Sequence, residues 1–506
     1  MKRIITLIFL TVFITTAGWA AYHNDLSGPI SIKGTLNAEY EDYPAGTPVT
    51  IRRITKIEGN VQHDGIYYAV DIQGVQFGIP VEESKIIQLD PPENNQEFWQ
   101  HVYLKNKLFQ YFKKNGYREK LRTEIDEECK DYLYKVNDIA YKDDYITSYV
   151  QSIFAKLTAT GHDLNRKERL NIRVIQSPNP DAYMLPNGSL LISTGLLCTL
   201  DSDDELAGII ASEMAHFVLD HQIDNIYRAE RRAKRAAFWA DILQTTADAA
   251  LDIAYWNNND KALAIGTAAT IGTIGAVLNM DIVNRLGMQY KLKQEILADR
   301  IACEFLTFNK FNPDGLSSAL HKIALYYYNS KFNSKELIRY GSLEELRTRY
   351  SKLGIVDVPS NRNYLKSTQD IITFNATMNL ADERYEEASR LIEKSIQHNL
   401  ATDNDYVILV KAQMALYNTQ EVNEECMTML WKAQELAGDN PNLDIYKQEI
   451  LLFLRMNKQA KAAEKLKVYM DLLSAYESQK IEGEELAWTM KEKDWANQLL
   501  NKINRF

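Results

Sequence analysis

The stretch Ala207-Gly208-Ile209-Ile210-Ala211-Ser212-Glu213-Met214-Ala215-His216 decides how the rest of the chain is read. It suits a helix, expected from about Asp203 to Leu219. A helix that grips a catalytic zinc ion reads H-E-x-x-H, in which two histidines one turn apart bind the metal and the glutamate acts as general base. Positions 212 and 216 are four residues apart and so share a face. Glu213 and His216 stand where that pattern needs them, but position 212 is serine. Glu-x-x-His alone arises on many helices. The ordinary reading is a hydrogen-bonded buried carboxylate beside a satisfied core histidine.

Working outward, Glu295-Ile296-Leu297-Ala298-Asp299 forms a second helical segment. It offers a carboxylate ligand at Glu295, with Asp299 one turn on, placed to orient a histidine from behind. The plainer alternative is that both acids cap the helix or pair with arginines such as Arg300. Strands are expected at Leu170–Ile175 and, after the turn Pro186-Asn187-Gly188, at Ser189–Ser193.

With these pieces the chain resembles the HtpX-like zinc metalloendopeptidases, a gluzincin group that includes the periplasmic β-barrel assembly-enhancing protease. The resemblance covers about residues 135–355. It rests on Asp181-Ala182-Tyr183-Met184-Leu185-Pro186-Asn187-Gly188, Ile192-Ser193-Thr194-Gly195-Leu196-Leu197, Asp203-Asp204-Glu205-Leu206-Ala207 and Glu295 to Asp299. It implies one zinc ion held by His216 and Glu295, Glu213 as the catalytic base, and Asp299 behind the ligands. It further implies an edge strand, Leu190, Leu191, Ile192, Ser193 and Thr194, that receives an extended peptide by strand addition. Two departures weaken the metal site. The first histidine is Ser212, and a downstream His-Pro corresponds to Tyr340-Gly341. His221 lies five positions beyond His216, well around a continuous helix, and is not expected to substitute. A catalytic zinc needs three protein ligands, so hydroxide generation at neutral pH should suffer.

The expected function is therefore that of a degenerate peptidase for protein quality control, binding unfolded or assembling envelope proteins without cutting them. The alternative is an active zinc-dependent endopeptidase with a rearranged ligand set. A third reading makes the peptidase fold a spacer for a repeat-based scaffold.

The flanks complete the organisation. Residues 1–20 read as a signal peptide, with Lys2 and Arg3, an apolar Ile4–Thr15 run and Gly18-Trp19-Ala20 before the cleavage point; an uncleaved anchor is the alternative. This implies export to the periplasm. Residues 25–92 alternate as β-strands and resemble an SH3-like barrel, and 97–134 read as a helical connector. Residues 262–278, uncharged and containing Gly266, Gly272 and Gly275, suggest a buried or surface-dipping helix, with a true span the alternative. Arg228–Arg235 before them read as a solvated helix face, with contact to anionic lipid, and so peripheral membrane association, the alternative. Residues 365–506 look all-helical. Ala388 and Cys426 are 38 positions apart, and Cys426 and Ala463 37, close to the repeat of about 34 in tetratricopeptide arrays, which hold partner proteins or peptide segments. An ordinary helical bundle is the alternative.

Composition sets limits. The 506 residues, 45% hydrophobic and 25% charged, support several packed domains. The net charge is −10 and becomes −12 without Lys2 and Arg3, which argues against nucleic-acid binding. The four scattered cysteines show no metal-type spacing. The expected fold class is multidomain α+β: a small SH3-like β-barrel, a mainly helical zincin-type domain with a small sheet, and a tetratricopeptide-like array.

Overall fold

The computed structural model describes residues 24–25, 31–57, 65–112, 117–158, 170–229, 280–330, 339–479 and 483–503. The expected signal peptide at residues 1–20, residues 262–278 and most of the basic stretch after Arg228 lie outside them. Among the described residues no helix is long and apolar enough to cross a membrane.

At the N-terminal end, β1 (Asn24–Asp25), β2 (Ile32–Leu36), β3 (Pro48–Ile57), β4 (Gly65–Ile72), β5 (Val75–Pro80) and β6 (Ile87–Leu89) form an antiparallel sheet. Its order is β5-β4-β3-β2-β6, with β1 beside β3. Alternation places Val70, Ile72 and Ile79 on the buried face, and a register shift between Ile51 and Arg53 lets Ile54 join Ile51 there. Helix α1 (Asn95–Phe112) follows. Its Trp99 ring centroid lies 4.5 Å from that of Phe305, and Phe98 touches Phe305 and Phe308, so α1 ties the sheet to the central domain.

That domain contains α2 (Tyr117–Val136), α3 (Asp144–Thr158), β7 (Asn171–Ile175), β8 (Ala182–Met184), β9 (Ser189–Ser193), α4 (Thr194–Thr199), α5 (Asp203–Val218) and α6 (His221–Ala229). It continues with α7 (Met280–Arg285), α8 (Leu292–Phe308), α9 (Asp314–Asn329) and α10 (Leu343–Leu353). The small sheet runs β7-β9-β8, with β7 parallel and β8 antiparallel to β9. Strand β9 is therefore central, and all five of its residues are buried. This corrects the expectation of a peptide-accepting edge at Leu190–Thr194. Both sides of β9 are already hydrogen-bonded, Ser193 caps α4 by accepting from the Leu196 amide, and Thr194 lies in that helix. The outer side of β7 is bonded at its C-terminal end: Tyr141 N donates to Val174 O at 3.0 Å and Gln176 N to Ile139 O at 2.7 Å.

Helix α5 is buried along its length between α8 and α9. Ser202 caps it, accepting from the Glu205 amide, and three acids in its first turn complement the helix dipole. Gly208 permits its contact with α9, since a Cβ there would lie 2.7 Å from the Leu316 Cα.

The remaining helices are α11 (Arg362–Ser367), α12 (Gln369–Ala381), α13 (Tyr385–Gln397), α14 (Asp403–Leu416), α15 (Gln420–Ala437), α16 (Leu443–Arg455), α17 (Gln459–Glu477) and α18 (Gly483–Ile503). From α12 onward, each packs on the next. The recurring sequence units fall on α13, α15 and α17. Lys394 of α13 anchors this region, donating to Cys198 O at 2.6 Å and Leu200 O at 2.9 Å and pairing with Asp201. Lys322 pairs with the same carboxylate. All four cysteines are free, three of them buried.

Two outcomes test this packing. Gly208→Ala should cost about 1–3 kcal/mol in urea denaturation; unchanged stability would contradict the close approach. Burial pushes the Asp201 carboxyl upward, but Lys394 and Lys322 outweigh it and hold it below its usual range. Its stabilising contribution is therefore present above an unfolded value of about 3.9 and lost as pH falls through the lower folded value. Asp201→Asn should flatten that part of the acid-stability curve.

Candidate functional site

Helices α5 and α8 bring Ser212, Glu213, His216, Glu295 and Asp299 together in the middle of the domain, where all five are buried. The i, i+4 spacings put Ser212 with His216 on α5 and Glu295 with Asp299 on α8. His216 Nε2 lies 3.1 Å from Glu295 Oε2, and Ser212 Oγ donates to Asp299 Oδ1 at 3.1 Å. The Met184 amide donates to Glu213 Oε2 at 3.2 Å. Asp299 thus holds the serine and an arginine, and no histidine.

Two arginines complete the cluster, and sequence reasoning missed both. Arg339 donates from Nη1 to Glu295 Oε1 at 2.8 Å, from Nη2 to Glu213 Oε1, and from Nε to Ala182 O at 3.1 Å. Arg349 of α10 grips Asp299 with two parallel bonds, Nε to Oδ2 at 2.8 Å and Nη2 to Oδ1 at 2.7 Å. Its Nη1 also pairs with Glu295 Oε2 at 2.9 Å. Arg300, the partner suggested by sequence proximity, is exposed instead. Burial pushes the Glu295 carboxyl upward, yet Arg349 and Arg339, together with His216, hold it well below its usual range. The only signal for Arg339 was its neighbour: it directly precedes Tyr340, the residue at the His-Pro position.

His221 also belongs here, contrary to the continuous-helix argument. Helix α5 ends at Val218, and Asp220 takes a left-handed conformation with φ of 55° that turns the chain back. His221 Nδ1 consequently lies 2.9 Å from His216 Nδ1. That contact is on the imidazole nitrogen opposite Glu295, so His221 supports the ring from behind. Tyr290 stacks on His216, with ring centroids 3.6 Å apart, and the Arg339 guanidinium lies 4.6 Å from the Tyr290 centroid.

These residues do not fit a catalytic zinc ion. Among the described residues no three His, Cys, Asp or Glu side chains converge as such an ion requires. Ser212 is engaged with Asp299, both Glu295 oxygens are engaged by guanidinium groups, and so is one oxygen of Glu213. The second Glu213 oxygen accepts from the Met184 amide.

The ion network makes an ordered prediction. Removing one partner of a buried pair strands a charge, so Arg349→Ala should destabilise the protein by about 3–5 kcal/mol. Ser212→Ala removes one hydrogen bond from an aspartate still held by Arg349 and should cost only about 1–2 kcal/mol. Equal losses in denaturant titrations would contradict the assignment.

Comparison with known proteins agrees with the architecture. Residues 146–366 match the family model described as Peptidase family M48. Over 80 residues the chain is 32% identical to the mitochondrial metalloendopeptidase OMA1 of Schizosaccharomyces pombe, covering 16% of this chain and 23% of that protein. Over 87 residues it is 31% identical to the mitochondrial metalloendopeptidase OMA1 of Bos taurus, covering 17% of each. The matched segments are thus less than a quarter of those relatives' lengths. The part of the chain that holds the site, residues 146–366, is a domain of Peptidase family M48.

Proposed function

We propose that this chain is a non-hydrolysing protein built on an M48 domain, acting by holding other polypeptides rather than cutting them. The family's peptidases are zinc-dependent, and an M48 domain suggests a zinc metalloendopeptidase. The observation that carries the different reading is the state of Glu213: the residue placed to activate water has both oxygens occupied by the protein's own donors. Ser212 beside it supplies a hydroxyl where an imidazole would bind metal.

Strand addition at β9 is no longer part of this reading. The binding role passes to the C-terminal helices, read as a tetratricopeptide-like array whose partners are unfolded or assembling envelope proteins or peptide segments. The N-terminal sheet is read as an SH3-like module and the location as the periplasm, reached through residues 1–20. One observation favours the alternative of an active zinc endopeptidase: His216 Nε2 and Glu295 Oε2 face each other at 3.1 Å, a separation two donors of one ion could adopt.

Incubating the purified chain with an unfolded substrate separates the two. The non-hydrolysing reading expects no chelator-sensitive cleavage and no difference between the wild type and Glu213→Gln, with the unfolded substrate retained in a binding assay. Cleavage that stops with chelator and in Glu213→Gln would establish the alternative.

A further inference from the structure

Glu213 and Glu295 come from different helices and converge in a space closed to water. Two carboxylates so placed repel each other and require a cation between them. In a metallopeptidase the ion meets that need. Here the guanidinium of Arg339, itself 1% exposed, lies between them. Each of its three nitrogens has a partner on a different element: Nη1 on Glu295 of α8, Nη2 on Glu213 of α5, and Nε on Ala182 O of β8.

The third contact has a separate consequence. In the β8–β9 ladder Tyr183 is opposite Leu191. The outward-facing backbone groups of β8 are those of Ala182 and Met184. Three of them are occupied: Ala182 O by Arg339, Met184 N by Glu213, and Met184 O by Gln222 Nε2 at 3.2 Å. Strand β8 borders the site, and the site's own side chains close its free edge.

We propose that Arg339 is a resident cation that takes a metal's place between Glu213 and Glu295 and, through Ala182, seals the outer edge of β8. The proposal rests on the non-hydrolysing reading and extends it: the missing histidine is not the whole difference from a zinc site. Restoring an imidazole at position 212 alone leaves a positive group bound to Glu295, the carboxylate the ion would need, and like charges at this range repel strongly in a dry interior.

The test uses the full chain. Zinc per chain is measured after dialysis for the wild type, Ser212→His and Ser212→His/Arg339→Gln, with melting curves recorded with and without EDTA. Only the double variant should hold about one zinc per chain, and only its melting temperature should fall when EDTA is added. Stoichiometric zinc in Ser212→His alone would overturn the proposal, as would a double variant that binds none. Zinc in the wild type with chelator-sensitive cleavage would instead overturn the non-hydrolysing reading itself. A second cycle needs no metal. Arg339→Gln should melt well below the wild type, and Glu213→Gln/Arg339→Gln should recover most of that loss because the stranded charge is gone. A double variant as unstable as Arg339→Gln would show that Arg339 does not act as the counter-cation.

Discussion

Three buried carboxylates facing two buried guanidinium groups set the terms for the centre of this molecule. Taking a charge out of water costs several kcal/mol per ion, and attraction offsets this only when the geometry is good and the remaining hydrogen-bonding capacity is filled. Glu213, Glu295 and Asp299 are matched by Arg339 and Arg349, with hydrogen bonds to all but the Nη1 group of Arg349, which holds Glu295 by charge alone. The network joins α5, α8, α10, β8 and the chain at position 339. Such an arrangement specifies one relative placement of those elements, because a shift that spoils one pair leaves another charge unmatched.

Much of this placement was legible in the sequence, and the parts that were not have identifiable causes. The face shared by Ser212 and His216, and that shared by Glu295 and Asp299, follow from helical period and appear as expected. Arg339 and Arg349 were invisible because no local pattern encodes pairings across separations of 44 to 126 residues, and a buried arginine defies the usual distribution of charge. His221 was set aside by extending a helical wheel past Val218, where the turn at Asp220 had already ended the helix. The central place of β9 was not legible: Leu190-Leu191-Ile192 is an unbroken apolar run, which marks a strand covered on both faces but does not encode whether both of its edges are paired.

The M48 match and the chemistry of the site lead to different conclusions about activity, and both rest on the same helices. A fold carries a reaction only where its site residues support it. Here the helices, the small sheet and the approach of α5 to α9 at Gly208 are retained around side chains that satisfy one another. Lys394 fixes the C-terminal helices to this body through the carbonyls that end α4 and through Asp201. A partner held on those helices would therefore sit at a set position relative to the M48 domain.

The bonding of β7 to the segment around Tyr141 has one more consequence, seen together with the closure of β8. A three-stranded sheet ordinarily offers two rows of unsatisfied amides and carbonyls on which a neighbouring copy can template fibrous growth. Here main chain takes Val174 O and Gln176 N at the end of one row, and side chains take three groups of the other. Each such bond removes a site at which a second copy could pair with this sheet.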